Sequence, residues 1–279
     1  MTQMQNRIVY ITGDSSGIGL AVARHVAALG AHVGVFARDP DKLARAAETV
    51  RSACAQSDQT VFSSTMDVND RDDVATTCAQ ALAEFGVPDI LITSAGIPMA
   101  GRFENTDADR FNALLQTNLY GTRHVIAALL PAMKARGGGH IVPVSSSAGL
   151  FGVYGFSAYC ASKFALVGLA ECLRSELLND NIRVSIFCPP EVDTPLFGSG
   201  KRGSAARDPD AKEPGRYVER GLCGRVPGER HHQEPVHDHS GFPGQSLLLA
   251  QAPDAPAGFL GTARLHRQEN GSLIFSCPP

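Results

Sequence analysis

The sequence predicts a doubly wound α/β fold, in which helices cover both faces of a parallel β-sheet. Between residues 8 and 188, six short and nearly continuously apolar runs alternate with five longer segments of helical periodicity. Strands buried on both faces have this continuous apolar pattern, and strand–helix alternation is typical of parallel sheets. A glycine-rich turn directly after the first apolar run, at residues 12–19, also favours this fold class.

Strands and helices are predicted to alternate in a fixed order along the chain. The predicted strands are residues 8–12, 32–37, 60–66, 89–93, 140–145 and 183–188. The predicted helices are residues 17–29, 40–55, 71–85, 107–135 and 157–178. Because crossovers between parallel strands are right-handed, this order fixes most of the topology.

The chain changes character after Phe197. The remaining segment holds nine of the 17 prolines and five of the nine histidines, without a period of 2 or 3.6 residues. Its short apolar runs, which could form strands or pieces of helix, are residues 245–250 and 272–276. We predict one domain at residues 1–197 and an atypical tail at 198–279 whose composition is typical of disorder. A reading-frame change in the gene and true divergence would both give such a tail.

The overall composition argues against several classes of protein. Hydrophobic residues make up 43% of the chain, which is enough for a core. The net charge of −3 and the lack of Trp argue against a nucleic-acid-binding surface. No pair among the seven cysteines has C-x-x-C spacing, which argues against a disulfide framework and favours the cytoplasm. The most apolar stretch, residues 125–133, is too short for an integral membrane segment.

The glycine turn has the spacing G-x-x-x-G-x-G. Glycine and serine also build ordinary turns, but a predicted strand before it and a helix after it favour a dinucleotide site. Backbone N–H groups at a helix N-terminus bind phosphate, and glycine allows the backbone to approach it. The residues expected at the cofactor are Gly13, Ser15, Ser16, Gly17, Ile18 and Gly19.

The end of the second predicted strand indicates which cofactor is used. An acidic residue at this point holds the ribose 2′-OH of NAD, whereas an arginine suits the 2′-phosphate of NADP. Arg38 ends the strand, and Asp39 stands before Pro40 at the N-cap position of the next helix. We therefore predict NADPH, with Arg38 at the 2′-phosphate. The alternative for Arg38 is an exposed surface cation.

Four polar residues form a candidate catalytic group. Tyr159 and Lys163 lie four residues apart in a predicted helix, so their side chains are neighbours. A nearby cation is expected to lower the pKa of the tyrosine toward the range useful for acid–base catalysis. Ser146 follows the fifth predicted strand, where ligands of such sheets bind. Asn118 lies inside a helical pattern despite its low helix propensity.

Together these motifs resemble the short-chain dehydrogenase/reductase family, whose members have a Rossmann fold. The resemblance covers about residues 7–196 and rests on T-G-x-x-x-G-x-G, Asp67-Val68, Ala95-Gly96, Asn118, Ser146 and Tyr159-x-x-x-Lys163. It implies that Tyr159 donates a proton and that Ser146 orients a substrate carbonyl. Lys163 would bind the nicotinamide ribose, and Asn118 would hold a water of a proton relay.

The same resemblance implies further cofactor contacts and shows one departure from the family pattern. The additional implied contacts are Asp67, Val68, Ala95, Gly96 and Thr194. Among these, Asp67 would meet the adenine and Thr194 the carboxamide. Thr93 and Ser94 stand where the family has two asparagines, which puts the support of the central strand in doubt.

Within the family, the chain is similar to the 3-ketodihydrosphingosine reductases. Pro189-Pro190, where many relatives have Pro-Gly, is the most telling segment, together with residues 140–146, 158–165 and 168–171. This implies NADPH-dependent reduction of a long-chain, lipid-like ketone by a homodimer or homotetramer. Reductases of 3-oxoacyl chains and of steroids share most of these residues and stay open as alternatives.

The tail raises two other hypotheses. The resemblance fades after Phe197, where the family has substrate-loop helices and a final strand. The chain could therefore be a cofactor-binding protein with impaired catalysis. Separately, the tail holds a dense cluster of His231, His232, His237, Asp238 and His239. Such tracts bind zinc or nickel, but the spacing matches no structural zinc pattern, and we predict no metal site.

Overall fold

The protein contains a six-stranded parallel β-sheet and a two-stranded antiparallel sheet. The computed structural model describes residues 4–190, 264–267 and 273–276. The parallel strands are β1 (Ile8–Thr12), β2 (His32–Ala37), β3 (Val61–Thr65), β4 (Ile90–Thr93), β5 (Gly139–Pro143) and β6 (Ile182–Val184). Their order is β3-β2-β1-β4-β5-β6, so the order reverses between β1 and β4. The predicted doubly wound sheet is confirmed.

Six α-helices accompany the parallel strands. They are α1 (Gly17–Ala28), α2 (Pro40–Arg51), α3 (Arg71–Glu84), α4 (Ala108–Leu115), α5 (Thr122–Arg136) and α6 (Ser157–Glu176). Asp39 caps α2, because its carboxylate accepts a hydrogen bond from the Lys42 backbone N–H at 3.0 Å. The structural role predicted for Asp39 is therefore confirmed.

The segment predicted as a single helix at residues 107–135 is helical, but it is not one continuous α-helix. A π-helical turn at Gln116–Gly121 separates α4 from α5. Single π-turns inside helices occur frequently at functional sites, and this turn carries the buried side chain of Asn118.

Two hydrophobic cores lie on opposite faces of the sheet. Val9 and Ile11 of β1 pack with α1 and α2 on one face. Tyr10 and Leu91 pack with α3, α5 and α6 on the other face. Successive strand residues point to opposite faces, and here both faces are covered. This explains why the strands are continuously apolar in sequence.

The last predicted parallel strand is shorter than expected. It ends at Val184, and Phe187 forms only an isolated bridge with Val144. Pro143 of β5 has no N–H to donate, which interrupts the ladder between these two points.

In the tail, β7 (Arg264–Arg267) pairs antiparallel with β8 (Leu273–Ser276). The apolar run at 272–276 thus contributes a strand, and β7 was not predicted. The run at 245–250 lies outside the described residues, as does the cluster from His231 to His239.

The described part of the chain lacks two kinds of feature. None of its helices is long and apolar enough to cross a membrane. None of its His, Cys, Asp and Glu side chains form a group of three or more that could hold a metal ion.

Candidate active site

The carboxyl ends of β1 and β4 meet where the strand order reverses, which is where ligands bind in such sheets. Gly13 follows β1, and its N–H donates to the Phe36 carbonyl at 2.9 Å. Its φ is +72°, and a Cβ atom there would collide with the backbone of Ala95 after β4. The turn is therefore fixed between β2 and the segment after β4.

The turn forms a cradle at the N-terminus of α1. A Cβ at Gly19 would lie 2.7 Å from the Gly13 carbonyl oxygen, so the turn packs closely on the helix. Ser16 is the N-cap of α1, and its side chain makes no capping hydrogen bond. The first N–H groups of α1 thus lack a side-chain cap, and this suits the binding of a pyrophosphate.

Arg38 and Asp67 lie together beyond the ends of β2 and β3. The Arg38 guanidinium is 4.0 Å from the Asp67 carboxylate, and 73% of the arginine side chain is exposed. Val68 is buried beneath the π-turn, where a Cβ at Gly121 would lie 2.7 Å from its Cγ2. The structure thus places Arg38 and Asp67 at the edge of the crevice that lies beyond the carboxyl ends of the strands. Val68 lies under the π-turn.

Ser146 and Tyr159 bring two hydroxyl groups together. Ser146 follows β5, and its Oγ accepts a hydrogen bond from the Ala148 N–H at 3.2 Å. The Ser146 side chain also forms a hydrogen bond with Tyr159 in the first turn of α6. The Tyr159 ring is buried, with its centroid 6.3 Å from that of Phe156 in an edge-to-face arrangement. A pair of hydroxyls in this position can bind one carbonyl oxygen.

Lys163 is buried one helical turn after Tyr159. Its Nζ donates a hydrogen bond to the Val144 carbonyl at 2.9 Å and lies 5.7 Å from the centroid of the Tyr159 ring. Burial lowers the pKa of Lys163 to about 8, although the neighbouring Cys188 opposes this shift. The ammonium form therefore still predominates at neutral pH.

The expected effect of Lys163 on Tyr159 is not found. Burial raises the pKa of Tyr159, the hydrogen bond from Ser146 offsets part of this, and Cys160 adds to it. The Lys163 Nζ, which donates to the Val144 carbonyl and lies over the Tyr159 ring, does not reverse this shift. Tyr159 is therefore a protonated acid at neutral pH.

Asn118 joins the segment after β4 to α6. Its Oδ1 accepts a hydrogen bond from the Ile97 N–H at 2.8 Å, and its Nδ2 donates to the Ile97 carbonyl at 3.1 Å. The same Nδ2 donates to the Ser162 hydroxyl at 2.9 Å. That hydroxyl donates to the Tyr159 carbonyl at 2.8 Å. Asn118 thus fixes the start of α6, which carries Tyr159, relative to the segment after β4.

We predict that Asn118→Leu lowers the free energy of unfolding by about 3 kcal/mol, since it leaves buried partners at Ile97 and Ser162 unpaired. Urea denaturation measures the loss. The matched control is Asn112→Leu, which changes an exposed amide on α4 and is expected to have little effect. Equal stability of the two variants would contradict the role given to Asn118.

Sequence reasoning assigned no role to Asp14. Its side chain is fully buried in the glycine turn, and neither carboxylate oxygen has a hydrogen-bond partner among the described residues. Its burial depends on the packing of the turn against β2 and α1, which no local sequence signal reveals. Thr194, expected at the carboxamide, lies outside the described residues.

Comparison with known proteins identifies the family. Residues 7–204 match the family model described as short chain dehydrogenase, which is well over half of the chain. The protein belongs to the short-chain dehydrogenase family. The predicted resemblance is confirmed by this match.

Curated relatives of this short-chain dehydrogenase include sphingoid-base reductases. It is 38% identical over 190 residues to the 3-dehydrosphinganine reductase of Danio rerio, covering 68% of this chain and 57% of that protein. It is 43% identical over 194 residues to the 3-dehydrosphinganine reductase TSC10B of Arabidopsis thaliana, covering 68% and 56%. The chain therefore spans little more than half the length of these relatives.

Solved structures of the family have the same fold. The L-sorbose reductase of Gluconobacter frateurii, complexed with NADPH and L-sorbose, has a TM-score of 0.66 and 29% identity, covering 70% of this chain and 73% of that one. A short-chain dehydrogenase/reductase of Burkholderia phymatum in complex with NAD has a TM-score of 0.66 and 30% identity, covering 70% and 69%. The structures to which the chain is similar thus bind either nicotinamide cofactor.

The structure resolves the doubt raised by Thr93 and Ser94 in this short-chain dehydrogenase. The Ser94 N–H donates to the Thr12 carbonyl at 3.0 Å, and the Ala95 N–H donates to the Thr12 hydroxyl at 3.5 Å. The end of β4 is therefore held by Thr12 of β1 without the two amides.

Proposed function

We propose that the protein reduces a ketone to a secondary alcohol with NADPH, and that the ketone is a long-chain lipid such as 3-ketodihydrosphingosine. The observation that carries the proposal is the hydroxyl pair of Ser146 and Tyr159, with buried Lys163, beside the cofactor crevice. The names of the sphingoid-base reductases to which the chain is similar support this class of substrate. Reduction of 3-oxoacyl or steroid ketones is the alternative within the family.

The residues of the crevice fit a dinucleotide. Close packing at Gly13 and Gly19 leaves the turn without side chains that would fill the crevice, and the N-terminus of α1 would hold the pyrophosphate. A Cβ at Gly96 would lie 3.1 Å from the Asn118 Oδ1 and 3.6 Å from the Lys163 Nζ. The nicotinamide end would therefore meet Gly96 and Lys163, and when bound it supplies the hydride.

In the proposed mechanism, Ser146 and Tyr159 bind the substrate carbonyl oxygen and orient it. As a C–H bond forms at the carbonyl carbon, the Tyr159 O–H breaks and its proton moves to that oxygen. The Ser146 hydroxyl and the Lys163 ammonium stabilise the phenolate that remains. The raised pKa of Tyr159 keeps it protonated before the reaction, as an acid requires.

The assay that tests the function is NADPH oxidation by the full chain, followed at 340 nm. We expect turnover with 3-ketodihydrosphingosine to exceed turnover with a 3-oxoacyl thioester and a 3-ketosteroid. Highest turnover with one of the latter two would select the alternative. Binding of NADPH without turnover of any ketone would favour the rival, a cofactor-binding protein with impaired catalysis.

We propose that NADPH is preferred over NADH because of Arg38. Arg38→Ala is expected to lower the ratio of kcat/KM for NADPH to that for NADH at least about tenfold, since it removes a charge-assisted hydrogen bond. Arg45→Ala, which removes an exposed arginine of α2, is the control. If the ratio of kcat/KM for NADPH to that for NADH is unchanged in Arg38→Ala, the proposed role is contradicted and Arg38 is an exposed surface cation.

We further propose that the catalytic domain ends near residue 197. The family match ends at residue 204, and β7 and β8 pair with each other rather than with the six-stranded sheet. Comparison of turnover by the full chain and by a version truncated near Gly198 tests this division. Equal turnover supports it, whereas loss of turnover together with retained helical circular dichroism would place part of the substrate pocket in the tail.

We also propose a homodimer or homotetramer in which α6 contacts its copy. Phe164 is 44% exposed in the middle of α6, with Ala161 and Gly168 also exposed. Large exposed apolar side chains beside small ones favour close packing of helices. Light scattering of the full chain measures its mass in solution, and a monomer at micromolar concentration would contradict the proposal.

A further inference from the structure

Asp14 is a buried acid in the turn where the cofactor's pyrophosphate is proposed to bind. Its side chain has no exposed surface, and both carboxylate oxygens lack hydrogen-bond partners among the described residues. Buried polar groups are almost always hydrogen-bonded, so an unpaired carboxyl group is unusual. The acid–base mechanism proposed above gives it no task.

The side chain is held in place by the packing of the turn. A Cβ at Gly19 would lie 2.8 Å from the Asp14 Cα, so α1 packs directly against this residue. The preceding Gly13 is hydrogen-bonded to β2 and packed against the segment after β4. Asp14 therefore cannot turn toward solvent without moving the turn away from both strands.

Burial strongly favours the neutral acid. It raises the pKa of Asp14 well above its ordinary value, and the nearby backbone of Asp14 and Phe36 offsets only part of this, without a hydrogen bond of good geometry to either oxygen. Among the described residues of β1, β2, α1 and the segment after β4, no charged side chain contributes to this shift. The carboxyl group would thus ionise without a cation to compensate it.

We propose that Asp14 makes dinucleotide binding proton-linked, so that the turn binds the pyrophosphate while the carboxyl is protonated and rejects it once the carboxyl ionises. The proposal rests on the cofactor site of the proposed function. The physical reason is that a carboxylate in the turn would repel the pyrophosphate with little solvent between them. By linkage, a bound pyrophosphate must in turn favour the protonated acid.

The test measures the affinity for NADPH and for ADP-ribose between pH 5.5 and 9 at constant ionic strength. The chain has no Trp whose fluorescence could report binding. Binding of NADPH is therefore followed by the fluorescence of NADPH itself, and binding of ADP-ribose by calorimetry. ADP-ribose lacks both the nicotinamide and the 2′-phosphate, so neither Lys163 at the nicotinamide end nor a titrating phosphate contributes to its pH dependence. Calorimetry of ADP-ribose binding in two buffers of different ionisation enthalpy gives the number of protons taken up.

We expect the affinity of the wild type to fall by up to about tenfold per pH unit above the pKa of Asp14 in the free protein. Binding of ADP-ribose should then take up as much as one proton. In Asp14→Asn both effects should vanish, so that the variant binds more tightly than the wild type at pH 9. Asp41→Asn, which removes an exposed acid of α2, should follow the wild type.

A stability measurement separates this role from a merely structural one. Because folding raises the pKa of Asp14, its contribution to stability is fully present below its ordinary pKa and is lost as the pH rises toward the raised value. The melting temperature of Asp14→Asn minus that of the wild type should therefore increase as the pH is raised from 4 to 8. If Asp14 had only a structural role, this difference in melting temperature would still increase with pH, but binding of ADP-ribose would take up no proton.

Parallel affinity curves for the wild type and Asp14→Asn, with no difference in proton uptake, would overturn the inference. If Asp14→Asn does not fold, Asp14→Ala, which removes the oxygens and leaves only a Cβ, replaces it in every comparison. Failure of the wild type to bind either ligand at pH 5.5 would overturn the proposed cofactor site as well. Binding that is independent of pH would overturn only the role of Asp14.

Discussion

Tyr159→Phe is expected to abolish ketone reduction while leaving NADPH binding largely intact. The change removes one oxygen, and the ring keeps its edge-to-face packing on Phe156. A positioned general acid contributes about 10²–10⁴-fold to the rate, so kcat should fall by a factor in this range. Steady-state kinetics measure this loss, and NADPH fluorescence titration measures the affinity.

Tyr120→Phe is the matched control for this prediction. It removes the same oxygen from a tyrosine of the π-turn that is 48% exposed, and turnover should not change. Retained turnover in Tyr159→Phe would remove the proposed mechanism. A loss of NADPH affinity as large as the loss of kcat would show that the hydroxyl acts in cofactor binding rather than as the acid.

Gly13→Ala is expected to have the largest effect on stability. A side chain at φ +72° costs about 1–3 kcal/mol, and its Cβ would in addition collide with the backbone of Ala95. Relief of the collision requires the turn to move away from the end of β4. We therefore expect a loss of about 3–5 kcal/mol in the free energy of unfolding, together with loss of NADPH binding.

Gly137→Ala separates the collision from the backbone strain. Gly137 ends α5 at φ +91°, and a Cβ there would meet nothing within 4 Å. This variant should lose only about 1–2 kcal/mol and should bind NADPH as the wild type does. Urea denaturation and NADPH titration compare the two variants. Similar losses in both would show that close packing at Ala95 is not what makes Gly13 necessary.

Much of the site could be predicted from sequence because its signals are local. The bounds of β1 and β2 are as predicted, since buried parallel strands are continuously apolar and end at a glycine turn or a capped helix. The spacing of Tyr159 and Lys163 places both on one face of α6 once a helix is predicted. Helix ends were less accurate, because the last turn is only weakly specified by sequence.

The tertiary structure decided what depends on distant neighbours. The π-turn carries Asn118, whose side chain forms hydrogen bonds with Ile97 and Ser162. These partners lie 21 and 44 residues away in the chain. The pKa of Tyr159 is raised rather than lowered, because burial outweighs a cation that the Val144 carbonyl holds over the ring.

The sequence by itself therefore determined the fold class and the identity of the four candidate catalytic residues. Chain order and residue spacing are enough to bring such residues to the same edge of a parallel sheet. Only the tertiary structure decided their protonation and the burial of Asp14. Burial and hydrogen bonding are set by which segments pack together, and these interactions determine which form of an acid is stable.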